Sequence, residues 1–147
     1  MEFALIGPLL IALLIGMAEF ARIATTQVLL EGAARDASRY GVTGSQVSGQ
    51  PMSEADREVQ IKNIVARETV GLVDMSKISV AIKAYSDFSD INTSPGTTGA
   101  GGSDEVVVYT LTYDQPLVTS LFGTLIKRSA FRHEARVVVR NEPFSTH

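Results

Sequence analysis

Phe3 to Ala18 reads FALIGPLLIALLIGMA, sixteen residues without a charge, fenced by Glu2 on one side and Glu19 on the other. As α-helix this run spans about 24 Å, short of a hydrocarbon core of roughly 30 Å. The residues beyond it make up the difference. Glu19 and Arg22 lie three apart on one helical face and offset each other's charge, while Phe20 and Ile23 extend the apolar surface. Carried to Ile23, the span reaches about 32 Å and can cross a bilayer. Two other readings compete. Gly16-Met17-Ala18 offers small residues at a signal-peptidase position, but Met1-Glu2 in front is acidic where a secretory signal is basic. The helical pattern also continues past that cut. A core helix apolar on every side is hard to cover in a chain of 147 residues. The expectation is therefore a retained membrane anchor.

Past Ala18 the pattern turns amphipathic. Phe20, Ile23, Leu30, Ala34 and Ala37 recur at helical spacing, with Arg22, Gln27, Glu31, Arg35 and Arg39 elsewhere around the helix. No proline interrupts, and Gly41 and Gly44 mark a stop, so one helix is predicted from Glu2 to Tyr40. Pro8 removes a backbone hydrogen bond inside its apolar half and predicts a kink or loosened turn. VTGSQVSGQP (42–51) reads as a polar linker. A second helix opens at Ser53, with Asp56 completing a capping box, and buries Ile61, Ile64, Val65 and Leu72, with Gly71 close to its end.

Three strands follow. Ile78–Tyr85 alternates, with Ile78, Val80, Ile82 and Ala84 on one face. In the run from Glu105 to Tyr113, Val107, Tyr109, Leu111 and Tyr113 share a face. In the run from Phe131 to Arg140, Phe131, Ala135, Val137 and Val139 oppose Arg132, Glu134, Arg136 and Arg140, the pattern of an antiparallel sheet with one wet face. Residues 86–104, tipped by SPGTTGAGGS, read as a flexible loop. PLVTSLFGTLIK (116–127) is too apolar for an exposed loop and is expected as a short helix against the sheet or a neighbouring molecule. The fold class is α+β, with a membrane and assembly helix over 1–41 and a globular head over 42–147.

Chemistry is sparse. The net charge of −3 argues against a nucleic-acid partner. Without cysteine there are no disulfides, thiolate nucleophiles or cysteine metal sites. Gly96 to Gly102 lacks the lysine of a phosphate loop. Asp87, Asp90 and Asp104 flank that loop, but their spacing fits no EF-hand for Ca²⁺. His133 falls on the apolar face of its strand without a second ligand and is read as a packed, hydrogen-bonded side chain. Neither a catalytic constellation nor a cofactor is expected. Charge is segregated: Asp87, Asp90, Asp104, Glu105 and Asp114 precede Lys127, Arg128, Arg132, Arg136 and Arg140. Those two sets pair either between subunits or within one sheet.

Glu2-Phe3-Ala4-Leu5 opening an apolar helix, Glu19-Phe20 near its far end, and Ala33-Ala34-Arg35-Asp36-Ala37-Ser38-Arg39-Tyr40 after it together resemble the TadE-like family of tight-adherence pilus proteins, relatives of the type IV pilins. The tail from Ala135 to Phe144 is similar to the closing strand of that group. About a third of the chain, at its two ends, carries the resemblance. It implies a pilin-like fold and a structural pilin or minor pilin, not an enzyme, that polymerises with itself or other pilins through its N-terminal helix. It also implies a prepilin peptidase and pilus machinery as partners, although Met1 alone precedes Glu2 where the family has a basic leader. Lipid covers the helix before assembly, with the head outside the cytoplasm of a bacterial inner membrane and later on a surface pilus. Assembly is assigned to Glu2, Phe3, Pro8, Gly16, Glu19 and Phe20. Gly7, Ala12, Gly16 and Ala24 support this, since small residues let helices approach closely. A membrane-tethered binding or adhesin module using residues 86–104 is the alternative, and a secreted hydrolase freed by signal peptidase a distant third.

Overall fold

The computed structural model describes residues 2–42, 54–69, 71–99, 101–119, 123–124 and 127–143, without the side chains of 2–5, 41–42 and 54–58. The element order is α1 (Glu2–Val42), α2 (Glu54–Glu68), β1 (Ile78–Tyr85), β2 (Thr97–Thr98), β3 (Val106–Pro116) and β4 (Ala130–Arg140). The strands form one antiparallel sheet in the order β2-β1-β3-β4. The fold is α+β, as expected. Helix α1 runs through Pro8 without a break and ends two residues beyond Tyr40, so Gly41 sits inside its last turn. The proposed capping serine, Ser53, and the linker over 43–53 lie outside the described residues.

Both helices pack on one face of the sheet, α1 mainly across β4 and β3 and against α2. The core follows from strand alternation. Val107, Tyr109, Leu111 and Tyr113 of β3 and Ala135 of β4 face Leu30, Ala33, Ala34 and Ala37 of α1, with Ile61 and Val65 of α2 closing the side. Ala at three of those four helix positions lets α1 lie close to its neighbours. The other face of β3 buries Val106 and Val108 under Tyr85 and Ile91 in a smaller cluster.

Two local expectations change. Phe20 belongs to no buried stripe: it is 72% exposed. The register that is covered runs through Glu19, Thr26, Leu30, Ala33, Ala34 and Ala37. Residues 86–104 carry more structure than their composition suggests. A 3-10 turn over Phe88–Asn92 is capped by Asp87, and Thr97–Thr98 pairs with Lys83 and Ala84 of β1. Gly96 there has φ +67°, and a Cβ would lie 2.7 Å from the Tyr85 ring, so the close approach requires glycine. Finally, the two charge pairs seen between the acidic and basic segments lie within one chain. Arg132 holds Asp114 across a β3–β4 rung at 2.8 Å, the pairing expected within one sheet, and Arg140 holds Asp104, just before β3, at 2.9 Å.

Candidate functional site: the bare helix and its junction with the head

Helix α1 has two environments. From Ile6 to Met17 its large apolar side chains point outward on every side with none of the described residues over them; Leu9, Leu10, Leu13 and Met17 are all more than half exposed. Pro8 is exposed in this half and Gly16 is half-buried. Glu2 and Phe3 occupy its first turn, and their side chains lie outside the described residues. A Cβ built on Gly7 would meet nothing within 4 Å, so the chain's own packing does not call for that glycine. Among the described residues, the stretch Ile6–Tyr40 is the one helical segment long and apolar enough to cross a membrane.

The bare half ends at a polar junction. Glu19 is 4% exposed, although it is the first charge after the apolar run. Its carboxylate accepts from the Arg22 guanidinium at 2.8 Å and from the Val118 backbone N–H, which lies 3.3 Å from both oxygens. Arg22 also donates to the Pro116 carbonyl. A buried carboxylate without such donors is costly; here the counter-charge sits one helical turn away and the amide comes from the end of the β3–β4 hairpin. The expected Glu19–Arg22 pairing is present, and it faces the head rather than lipid.

One turn further on, the network continues into the sheet. Gln115 (1% exposed) closes the inward-facing series Val107, Tyr109, Leu111 and Tyr113. Its amide is satisfied with the oxygen toward Arg22 and the nitrogen donating to Thr26 Oγ1 at 3.1 Å and His133 Nε2 at 2.7 Å. His133 then carries its proton on Nδ1, donating to Gln27 Oε1 at 2.9 Å. Gln27 in turn donates to Glu31 and to the Glu134 carbonyl. Burial, then the nearby Arg22 charge, lowers the His133 pKa below its ordinary value. The neutral ring also suits its partners, because protonated Nε2 would face the Gln115 N–H. The Tyr113 ring stacks on His133 and Phe131 tilts against it.

Of the residues assigned to assembly, Pro8, Gly16 and Phe20 lie on or beside the bare surface, whereas Glu19 is committed within the chain. The sequence reading missed Thr26, Gln115 and Val118. One signal was available: Glu19, Arg22 and Thr26 extend the covered register of Leu30, Ala33 and Ala37 backward at helical spacing. The packed role expected for His133 is what the structure shows. The three aspartates weighed for Ca²⁺ are separated in role, Asp87 capping the 3-10 turn and Asp104 bonded to Arg140. Among the described residues no group of three or more His, Asp or Glu is placed to hold a metal ion. At the far end of the head a cleft of about 250 Å³ is lined by Tyr85, Asp90, Gly96, Thr97 and Glu105.

A family model described as TadE-like protein matches residues 1–39, which takes in the bare half of α1 and most of its covered half. No curated protein and no solved structure matches the chain. The N-terminal stretch suspected of TadE-like character is thus the segment the family model matches, while the suspected tail from Ala135 to Phe144 lies outside the match.

Proposed function

We propose that the chain is a structural subunit of a tight-adherence type pilus, a pilin or minor pilin that polymerises through α1. One observation carries the proposal: the segment matched as TadE-like is also the one whose apolar half none of the described residues of the head covers. Such a surface must be covered by lipid or by other helices. In this reading the subunit waits in the bacterial inner membrane with its head outside the cytoplasm, after processing by a prepilin peptidase. The pilus machinery then moves it into a bundle where neighbouring helices replace lipid. The role is structural, with no catalytic step. Bare small residues such as Gly7 allow close helix approach, and exposed Phe20 adds contact area at the level of the head.

Glu2 is assigned the registering role. A charge costs about 2.5–3.5 kcal/mol in mid-membrane on insertion scales, so a carboxylate at the helix start is tolerated only near headgroups or beside a counter-charge. Pairing with the free α-amino group of an adjacent subunit would supply that charge during assembly. Glu2→Gln and Glu2→Ala should keep full membrane content on fractionation and lose sheared surface filaments. Normal filaments from both variants would overturn the role. The far cleft favours a second reading, an adhesin-like head; Asp90→Asn or Glu105→Gln variants that assemble normally but no longer adhere would support it.

A further inference from the structure

The base of the head, where the β3–β4 hairpin turns beside α1, raises a question of depth. The uncharged run between Glu2 and the junction, Phe3 to Ala18, is sixteen residues. As helix it spans about 24 Å, some 6 Å less than a typical hydrocarbon core. The head does not leave the helix free beyond that point. Val118 N–H on both Glu19 oxygens, together with Arg22 on the Pro116 carbonyl, pins the turn to the helix where the bare half ends. A fully spanning helix therefore draws the base of the head into the membrane surface.

The groups at that level suit such a position. Val118 is 73% exposed, and Phe20, on the uncovered side of the same helical turn, is 72% exposed. The one carboxylate of this turn of α1, Glu19, is hidden and paired. Across the hairpin end, Lys127 and Arg128 are exposed, just before Ser129, whose carbonyl accepts from the Leu117 N–H. The sequence from Leu117 to Ile126 contains no charge. Apolar tips with a basic rim match an anionic lipid surface, with the side chains in the acyl boundary and the cations among headgroups.

We infer that the described ends of the β3–β4 turn form a second lipid contact, in which Val118 and Leu117 with Phe20 enter the bilayer interface while Lys127 and Arg128 engage anionic headgroups. The contact is continuous with the bare half of α1 and sets how deep the subunit sits. It rests on the membrane-inserted state in the reading above.

The chain contains no tryptophan, so single reporters are clean. The full chain carrying Val118→Trp, Leu10→Trp or Ala81→Trp is reconstituted at low density in phosphatidylcholine–phosphatidylglycerol vesicles containing lipids brominated near the headgroup or deep in the chain. Leu10→Trp reports helix insertion, and Ala81→Trp, exposed on β1, reports the outer head. The expected result is loss of Val118→Trp emission with shallow bromination, loss of Leu10→Trp emission with deep bromination, and no loss for Ala81→Trp. Arg128→Glu should weaken quenching at Val118 and leave Leu10 unchanged. Quenching at Leu10 without quenching at Val118 overturns this inference and leaves the membrane-inserted reading intact. No quenching at Leu10 overturns both. A blue-shifted Val118→Trp that lipid does not quench assigns the turn to a second copy of the chain instead. Leu117→Trp, beside it on the same arm, gives the same readout should Val118→Trp not fold.

Discussion

The two halves of α1 share one backbone and one continuous helix, yet hydrophobicity and burial run in opposite directions along them. Residues 6–18 are wholly uncharged and mostly exposed, whereas the half that follows buries Glu19, Thr26 and Ser38 beside Leu30 and three alanines. What lies opposite each half decides this. The second half meets a sheet whose inner face offers Tyr109 and Leu111 for its apolar positions and Gln115 and His133 for its polar ones. The first half meets nothing among the described residues of its own chain. Hydrophobicity thus measures a need for cover, and the head does not supply it to the half that needs it most.

One substitution made twice tests the contrast most strongly. Leu30→Ala empties a fully covered site and should destabilise the head by about 2–5 kcal/mol. Leu10→Ala removes the same atoms from a bare position and should leave unfolding of the head within about 0.5 kcal/mol of the parent. Urea unfolding of the detergent-solubilised chain, followed by the tyrosine signal, measures both. Equal losses would mean that the two halves are not separate environments.

The boundary itself is the next point of attack. Glu19→Ala strips Arg22 of its partner and leaves the Val118 amide without an acceptor. Loss on the order of 2–3 kcal/mol is expected, below the 3–5 of a fully buried pair because the Arg22 side chain is 32% exposed. Glu19→Gln keeps an acceptor and should lose less. A stability unchanged in both variants would show that the junction does not fasten hairpin to helix.

The polar end of the covered half also makes the head sensitive to pH. His133 has a lowered pKa in the fold, from burial and then Arg22, while in the unfolded chain it returns toward 6.5. Between those two values the unfolded chain binds the extra proton, so its contribution is complete above about 6.5 and is lost as pH falls toward the folded value. The Asp114 carboxyl, held below its usual value by the Arg132 hydrogen bond, weakens the fold only at much lower pH, below about 3.8. Unfolding midpoints measured from pH 7 to pH 5 should fall for the parent and flatten for His133→Gln. Parallel profiles would place the sensitivity elsewhere.

This contrast was half legible in the sequence. An unbroken apolar run reports its own lack of charge, and alternation places β1 at Ile78–Tyr85, as found. The junction was harder to see because its partners are remote. Glu19 is satisfied by an amide 99 positions later, and Gln27 meets His133 at a separation of 106. A polar residue in a covered register looks like solvent-facing helix until the sheet opposite is known. Phe20 misled for the reverse reason, since an aromatic at helical spacing implies a core that here turns away from it. The charge segregation was visible, but strand register, which composition does not encode, assigned Asp114 to Arg132, and the loop before β3 brought Asp104 to Arg140. Glycine-rich composition concealed the close approach of Gly96 to Tyr85.

The smallest expected effect sharpens the contrast by moving its edge from a point along the helix to a line around it. Gly32 lies in the covered half, between the buried Leu30 and Ala33, yet it faces outward and a Cβ there would meet nothing within 4 Å. Val28, one turn before it, is 69% exposed on the same side. Glycine inside a helix is less favourable than alanine by roughly 0.5–1 kcal/mol. Because none of the described residues resists the methyl group, Gly32→Ala should raise the stability of the solubilised chain by that amount, or by about 1–4 °C in Tm for a domain of this size. A glycine retained at that cost, beside an exposed valine, fits a face kept flat for a neighbour. In that case the bare surface of α1 continues past Glu19 along the side away from the sheet. Gly32→Leu also meets open space in the single chain and should fold normally while reducing the yield of sheared filaments. Filament yield unchanged in a folded Gly32→Leu would confine the assembling surface to the half before Glu19.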